Sequence, residues 1–364
     1  MIDTTASQTS PDSAAPSSAR ALRVAVVGLG RAGVAHCVML ANLEGCELIA
    51  VADPRRAARA GLRGMGFMAP AFPRIERLLE KARPDAVFVC AAQGERARVA
   101  RAALEAGVPV LVERPMSRTL AEAEELVRLA AGRAVPLAVG HPLIFDPVFA
   151  RVREVVRAGT LGPVRQARSA MFVSRVFAPH PRRGPGRLDP RHVAGGVVAH
   201  LASDLLFLLV HLLGAPAEVR ATWNLLYGAV EDELHGMMTL ADGTEVGFDS
   251  SWSVPGYARA STVLELEGRD GKLLASDEAF ELDLRRAAGG YPEGATRRRD
   301  TEFDSPARFD FGGEALWLHD AAFLRWVAGG PAPPNEGSAA VKAHRAMDAL
   351  YRSAAAGGRA VELA

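Results

Sequence analysis

The sequence predicts an α/β protein with a doubly wound parallel sheet, followed by a C-terminal α/β domain with an open antiparallel sheet. Two patterns predict this fold. Between residues 22 and 141, short apolar runs alternate with helical stretches, which is typical of a parallel sheet with helices on both faces. After Phe145, strand-like runs follow one another closely, and the pairs Asp242-Gly243 and Asp270-Gly271 suit tight antiparallel turns because they tolerate positive φ angles.

The first part contains apolar runs that we predict as strands, at residues 24–27, 48–52, 86–90, 108–112 and 135–139. Helices are predicted at residues 34–42, 96–106 and 120–131. Ligands of such sheets bind beyond the carboxyl ends of the strands. Because Gly28, Asp53, Ala91 and Glu113 follow predicted strand ends, we expect them to line one cleft.

The second part begins with a predicted helix at residues 147–158 and an extended stretch at 164–176. Further strands are predicted at residues 218–227, 233–240, 244–252, 261–268, 271–275 and 279–284, and amphipathic helices at 313–328 and 338–355. One sheet face needs a cover of helices and the other can pair with a second subunit, so we expect a homo-oligomer, a dimer or a tetramer. The predicted divisions are a flexible tail at 1–20, a first domain at 21–143 and a second at 144–364.

The composition excludes several classes of protein. The chain has 364 residues, a formal net charge of +1 and 49% apolar residues, which fits neither a nucleic-acid-binding nor a disordered protein. Its cysteines, Cys37, Cys46 and Cys90, lack metal-ligand spacing, so we expect no metal. We also expect neither a signal peptide nor a membrane span, because no suitable apolar run occurs. The prediction is a cytoplasmic enzyme with a small-molecule substrate.

A glycine fingerprint opens the first part. A buried strand leads into Gly28, which permits a tight turn; Gly30 lets a pyrophosphate approach the backbone, and Gly33 lets helix and strand pack closely. The amides of the following helix point at the phosphates. The predicted phosphate-binding residues are Gly28, Gly30, Arg31, Ala32 and Gly33. This pattern predicts a bound dinucleotide.

Asp53 ends the next predicted strand and indicates which dinucleotide binds. Its carboxylate can accept both hydroxyls of an adenosine ribose and would repel a 2'-phosphate, so NAD is favoured. Arg55 and Arg56 lie close enough to neutralise a phosphate, which leaves NADP open. We expect Ala91, Gln93 and Glu113 to border the same cofactor.

Several segments together resemble one family. The run at residues 102–115, the Gly195-Gly196 pair before a helix and the terminal helix around residues 351–353 resemble the glucose-fructose oxidoreductase, inositol dehydrogenase and MocA family, over about residues 22–364. The resemblance implies a Rossmann domain, a second domain built on an open antiparallel sheet, and NAD(P)-dependent oxidation of sugars or cyclitols.

One departure from the family lies after the fifth predicted strand. The family usually has Glu-Lys-Pro there, whereas this chain has Glu113-Arg114-Pro115. A lysine can exchange a proton, but a guanidinium stays protonated and only donates hydrogen bonds. We therefore expect Arg114 to stabilise an oxyanion. Because arginine also suits two-point contact with a carboxylate or phosphate, the substitution favours an anionic substrate.

A second departure lies on the helix after Gly195-Gly196. The family commonly has aspartate and, four residues later, histidine, whereas this chain has His200 and then Asp204. A spacing of four places both on one helical face. His141, after the sixth predicted strand, is a second candidate proton carrier and substrate contact, or a structural hydrogen-bonding group.

A basic segment at residues 180–192 precedes that helix. Its arginines include Arg182, Arg183 and Arg187, which by family analogy lie over the substrate cleft. Such a cluster suits a phosphate or another dianion through charge-assisted hydrogen bonds. The alternative is a solvated loop or an oligomer contact.

These residues define a leading hypothesis. Hydride moves between nicotinamide and a hydroxyl or keto carbon of a sugar-like, anionic (phosphorylated or nucleotide-linked) substrate. His200 exchanges the hydroxyl proton, Asp204 orients its imidazole, and Arg114 stabilises the alkoxide. The altered positions also motivate alternatives, namely a dinucleotide-binding protein without net redox chemistry, either a sensor or a lyase or hydrolase by transient oxidation, and an imine reductase.

Overall fold

The computed structural model describes residues 20–174, 195–303 and 313–363. The first part is a six-stranded parallel sheet with strand order β3-β2-β1-β4-β5-β6. Its strands are β1 (Leu22–Val27), β2 (Cys46–Ala52), β3 (Ala71–Phe72), β4 (Ala86–Val89), β5 (Val110–Glu113) and β6 (Leu137–Gly140). Its helices are α1 (Arg31–Ala41), α2 (Arg56–Gly64), α3 (Ile75–Ala82), α4 (Gln93–Glu105) and α5 (Leu120–Gly132). The predicted doubly wound sheet is confirmed.

The second part is a nine-stranded sheet with strand order β14-β13-β12-β11-β7-β10-β9-β8-β15. Its strands are β7 (Val164–Phe172), β8 (Pro216–Asn224), β9 (Glu233–Leu240), β10 (Glu245–Ser251), β11 (Ser261–Gly268), β12 (Gly271–Ser276), β13 (Ala279–Leu284), β14 (Gly294–Arg299) and β15 (Val361–Glu362). Its helices are α6 (Pro147–Arg157), α7 (Ser203–Leu213), α8 (Gly313–Val327) and α9 (Gly337–Ala355). The sheet is mixed, because β7 and β10 pair in parallel. The predicted open antiparallel sheet is confirmed, with this one parallel pair as the exception.

Helices cover one face of the second sheet. Helix α7 is apolar around most of its circumference and almost wholly buried, as expected of a helix enclosed in a core. The opposite face exposes side chains such as His235, Met237 and Leu274. That a second subunit covers this face stays a prediction.

Helix α8 returns from the second half of the sequence to the first sheet. Phe323 is fully buried and meets Phe88 of β4 edge to face, with ring centroids 5.4 Å apart. Asn335, just before α9, donates to the carbonyl of Val139 in β6 and its own carbonyl accepts from Val139 N–H. These contacts join the two halves beside the carboxyl ends of the strands. The division at residues 143 and 144 stays a prediction.

Neither a membrane-spanning helix nor a metal centre is found in the part of the chain that the structure describes. No helix there is both long and apolar enough to cross a bilayer. No group of three or more His, Cys, Asp or Glu side chains within those residues is arranged to hold a metal ion.

We predict that Phe323→Ala destabilises the protein by about 3–5 kcal/mol, because it removes a buried aromatic ring from the first sheet's core. Denaturant unfolding measures the change. Leu225→Ala is the control, since this exposed side chain should contribute less than about 0.5 kcal/mol. Equal, small effects of both variants would contradict the packing of α8 on the first sheet.

Candidate active site

The glycine turn after β1 is shaped for a dinucleotide. Gly28 has φ of +96°, and a Cβ atom there would lie 2.4 Å from the carbonyl oxygen of Cys90. A Cβ on Gly33 would lie 1.8 Å from the carbonyl oxygen of Gly28. Gly30 has open space where its Cβ would be, and α1 begins at Arg31 without a side-chain cap. No side chain therefore caps the first amides of α1, and that Arg31, Ala32 and Gly33 bind phosphate oxygens stays a prediction.

Asp53 lies beyond the end of β2 and is nearly fully buried. Leu29 N–H donates to its Oδ2 at 2.7 Å, while Arg55 donates from its backbone N–H to Oδ1 and from its guanidinium to both oxygens at 2.8–2.9 Å. Burial acts to raise the pKa of Asp53, but these hydrogen bonds outweigh it and lower the pKa. The Arg55 side chain is 63% exposed, so a ribose can displace it from the carboxylate.

The other predicted cofactor residues border the same edge of the sheet. Ala91 follows β4, and its carbonyl accepts from Arg96 Nε at 3.0 Å. Gln93 is buried at the start of α4. Glu113 ends β5 and is buried; burial acts to raise its pKa, but a hydrogen bond from His36 and the charge of Arg114 hold the pKa well below its ordinary value. The carboxylate is therefore ionised.

Arg114, Asp204 and His141 form a compact charged centre. Arg114 Nη2 lies 3.4 Å from Asp204 Oδ2, and His141 Nδ1 lies 3.4 Å from Asp204 Oδ1. The three come from the ends of β5 and β6 and from α7, so both halves of the chain build the centre. Arg114 Nε is buried and has no hydrogen-bond partner among the described residues, while the Arg114 side chain as a whole is 20% exposed.

His141 is held in its neutral form. Its ring is nearly fully buried and stacks on Phe207 with centroids 4.3 Å apart. Burial lowers the pKa of His141 below its ordinary value, and the nearby carboxylate of Asp204 offsets this only in part. A neutral imidazole beside a carboxylate can accept a proton.

The structure corrects the predicted pairing of His200 with Asp204. Residues Val198–Ala202 form a π-helix that leads into α7, so His200 and Asp204 lie on two different helical segments. Asp204 contacts His141 and Arg114 instead. His200 is half-buried with its ring 6.1 Å from that of Trp252.

Of the predicted anion-binding arginines, the structure describes only Arg114. Arg182, Arg183 and Arg187 lie outside the described residues. Arg114 is described, and its positive charge is opposed by Asp204 at 3.4 Å and by Glu113 at 4.0 Å. Arg114 is therefore an already paired cation.

Sequence reasoning missed a group of buried titratable side chains behind Glu113. His36 Nε2 lies 3.2 Å from Glu113 Oε1, and its Nδ1 lies 2.7 Å from Asp320 Oδ2. His319 Nδ1 lies 2.9 Å from the other Asp320 oxygen. One feature of the sequence could have indicated this group, namely polar residues inside apolar helical runs, at His36 in α1 and at His319-Asp320 in α8.

Comparison with known families identifies both halves of the chain. Residues 22–141 match the oxidoreductase family with an NAD-binding Rossmann fold, and residues 149–274 match the GFO/IDH/MocA C-terminal domain. The chain is 26% identical to inositol 2-dehydrogenase of Corynebacterium glutamicum over 85% of each chain. It is 29% identical to UDP-N-acetylglucosamine 3-dehydrogenase of Acidithiobacillus ferrooxidans, over 85% of this chain and 93% of the relative.

Solved structures agree with this assignment. GenD2 from gentamicin A biosynthesis, in complex with NAD, superposes with a TM-score of 0.81 at 25% identity, covering 98% of this chain and all of GenD2. An oxidoreductase domain protein from Kribbella flavida has the same fold, with a TM-score of 0.84 at 21% identity, covering 95% of this chain and all of that protein. With its dinucleotide turn and both domain matches, the chain belongs to the GFO/IDH/MocA family of NAD-binding oxidoreductases.

Proposed function

We propose that this chain is an NAD-dependent dehydrogenase that interconverts a hydroxyl and a keto group on a sugar-like small molecule, with the reaction centred on Arg114, Asp204 and His141. The observation that carries the proposal is their contact at the carboxyl ends of β5 and β6, the edge that also bears the dinucleotide turn. Relatives that are inositol or nucleotide-sugar dehydrogenases support a polyhydroxylated substrate.

The residues divide the work of the reaction. Bound NAD would supply the acceptor for the hydride that leaves the carbinol carbon of the substrate. His141 directs Nδ1–H at Asp204, so its Nε2 takes the hydroxyl proton while Asp204 stabilises the resulting imidazolium. Arg114, whose side chain is 20% exposed, donates to the developing alkoxide from its guanidinium. In reduction of a ketone the same groups return the proton.

We propose that arginines other than Arg114 bind the anionic group of the substrate. Because Arg114 is opposed by two carboxylates, it contributes little net attraction for an anion. We propose that a phosphate or nucleotide group of the substrate binds Arg182, Arg183 and Arg187 instead. The relative that oxidises UDP-N-acetylglucosamine supports a nucleotide-linked substrate.

The uncovered face of the second sheet is proposed as the contact with a second copy of the chain. It exposes Met237, Val263 and Leu274 among charged residues. A sheet covered by helices on one side only leaves such a face for association.

Turnover with a substrate panel tests the proposed activity. We expect NAD to be reduced, read at the absorbance band of the reduced nicotinamide, with at least one of myo-inositol, D-xylose and UDP-N-acetylglucosamine, and most efficiently with the nucleotide sugar. The variant Arg182→Ala/Arg183→Ala should raise KM for the nucleotide sugar at least about tenfold, since it removes one or two charge-assisted hydrogen bonds, and leave KM for the neutral substrates unchanged. Absence of turnover across the panel, in protein that binds NADH, would favour the non-redox alternative.

Separate histidine variants identify the proton acceptor. We expect His141→Asn to lower kcat at least about a hundredfold, the size of a lost general base, and His200→Asn to lower it less than about tenfold. In the wild type, kcat should fall as pH drops through the lowered pKa of His141, below about 6.5, because protonation removes the acceptor. The reverse order of the two variants would assign the proton to His200.

Variants at Asp53 and Arg55 test the cofactor preference. Arg55→Ala frees the carboxylate for the ribose hydroxyls and removes a partner for a 2'-phosphate, so we expect NADH affinity to be kept and NADPH affinity to fall about tenfold. Asp53→Ser should weaken NADH binding by a similar factor. Calorimetric titration measures both, with the exposed Arg77→Ala as control. An unchanged NADH to NADPH ratio in both variants would contradict this site.

A further inference from the structure

His36 lies in α1 just after the glycine turn and is fully buried. Both of its ring nitrogens face carboxylate oxygens, Nδ1 at 2.7 Å from Asp320 and Nε2 at 3.2 Å from Glu113. A neutral imidazole has a single N–H and can donate to one carboxylate only. The second nitrogen would then present a lone pair to an oxygen lone pair in a buried site. With both carboxylates ionised, this geometry requires protons on both nitrogens.

The surroundings agree with a cation at this position. The titratable groups facing His36 are Asp320 and His319 from α8, Glu113 from β5 and Cys90 from β4. Burial acts to lower the pKa of His36, but the charge of Asp320 reverses this and raises the pKa well above the ordinary value. Burial raises the pKa of the Cys90 thiol, which stays neutral. Two carboxylates thus face one imidazolium.

Glu113 also contacts Arg114, and so connects His36 with the proposed reaction centre. Its second oxygen, Oε2, accepts from Arg114 N–H at 3.2 Å and lies 4.0 Å from the Arg114 guanidinium, which contacts Asp204. Charges alternate along the row Asp320, His36, Glu113, Arg114 and Asp204. In a buried site each charge needs its neighbour, because an unpaired charge there is strongly unfavourable. Movement of one member displaces the next.

We propose that His36 is a positioning residue for the dehydrogenase: held as an imidazolium between Asp320 and Glu113, it fixes the Glu113 carboxylate, which in turn fixes Arg114. His36 does not touch the substrate in this arrangement. Its charge ties α8 to the end of β5. The protonation state does not depend on the protein's activity, whereas the effect on turnover rests on the proposed function.

Neutron diffraction from crystals of the whole chain at a pD near 8 tests the protonation state without any turnover. We expect deuterium on both Nδ1 and Nε2 of His36. His211 provides the comparison within the same crystal, because burial and nearby arginines lower its pKa to about 4 and leave it neutral. A single deuterium on the His36 ring would overturn the proposal, whether or not the protein is a dehydrogenase.

Variants test the effect on turnover. His36→Gln alone leaves two buried carboxylates without their cation and is expected to fold poorly. The double variant His36→Gln/Asp320→Asn removes one charge of each sign. We expect its kcat to fall about tenfold to a hundredfold, as for a misplaced catalytic group, with KM for NAD within about threefold. His211→Gln should leave kcat unchanged. A double variant that folds and keeps the wild-type kcat would overturn the positioning role.

The pH dependence of the free energy of unfolding tests the charge of His36 independently. Because the pKa of His36 is raised in the folded state, its stabilising contribution is present below the unfolded-state pKa of about 6.5 and is lost as pH rises through the higher folded-state value. The wild type should lose stability on the alkaline side more steeply than the double variant. Parallel curves would overturn the assignment of a cation at His36.

Discussion

The structure of the cleft depends on one constraint, that a charge removed from water must lie against an opposite charge. Asp204 is almost fully buried on a helix that is otherwise apolar, and it is compensated by Arg114 from the other half of the chain. This contact fixes where α7 meets the end of β5. The proposed reaction centre therefore needs residues from both halves of the chain.

The same constraint relates the two departures from the family pattern. The lysine usual in the resembling proteins is Arg114 here, and the histidine position on the helix is Asp204. A guanidinium stays charged, so it is stable in this cleft beside a carboxylate. We infer that the two substitutions compensate each other electrostatically. In the proposed mechanism the proton goes to a neutral imidazole, and His141 lies against Asp204 as that role requires.

Local patterns in the sequence were sufficient for most of the framework. Buried apolar runs marked five of the six strands of the first sheet, whereas β3, with two residues, is too short to show a period. The fingerprint and Asp53 were recognisable because turn, strand and helix are contiguous. The parallel pairing of β7 with β10 and the packing of α8 on the first sheet depend on contacts between distant segments, which no local pattern reports.

The candidate site was predicted in part for the same reason. Arg114, Asp204 and His141 were each identified, but the contacts of Asp204 with Arg114 and His141 join segments that are distant in the sequence, and no local spacing reports them. His36 and Asp320 are 284 residues apart, so their contact follows only from the folded chain. Buried polar residues in apolar helices were the one local sign of this group.

A crystal structure of the chain with bound NADH would locate the nicotinamide ring relative to Arg114, Asp204 and His141. We expect the adenosine ribose on Asp53, the phosphates on the amides after Gly30, and the nicotinamide ring beside Arg114 and His141. A nicotinamide ring lying away from both side chains, with the phosphates on the glycine turn, would contradict the assignment of the reaction centre.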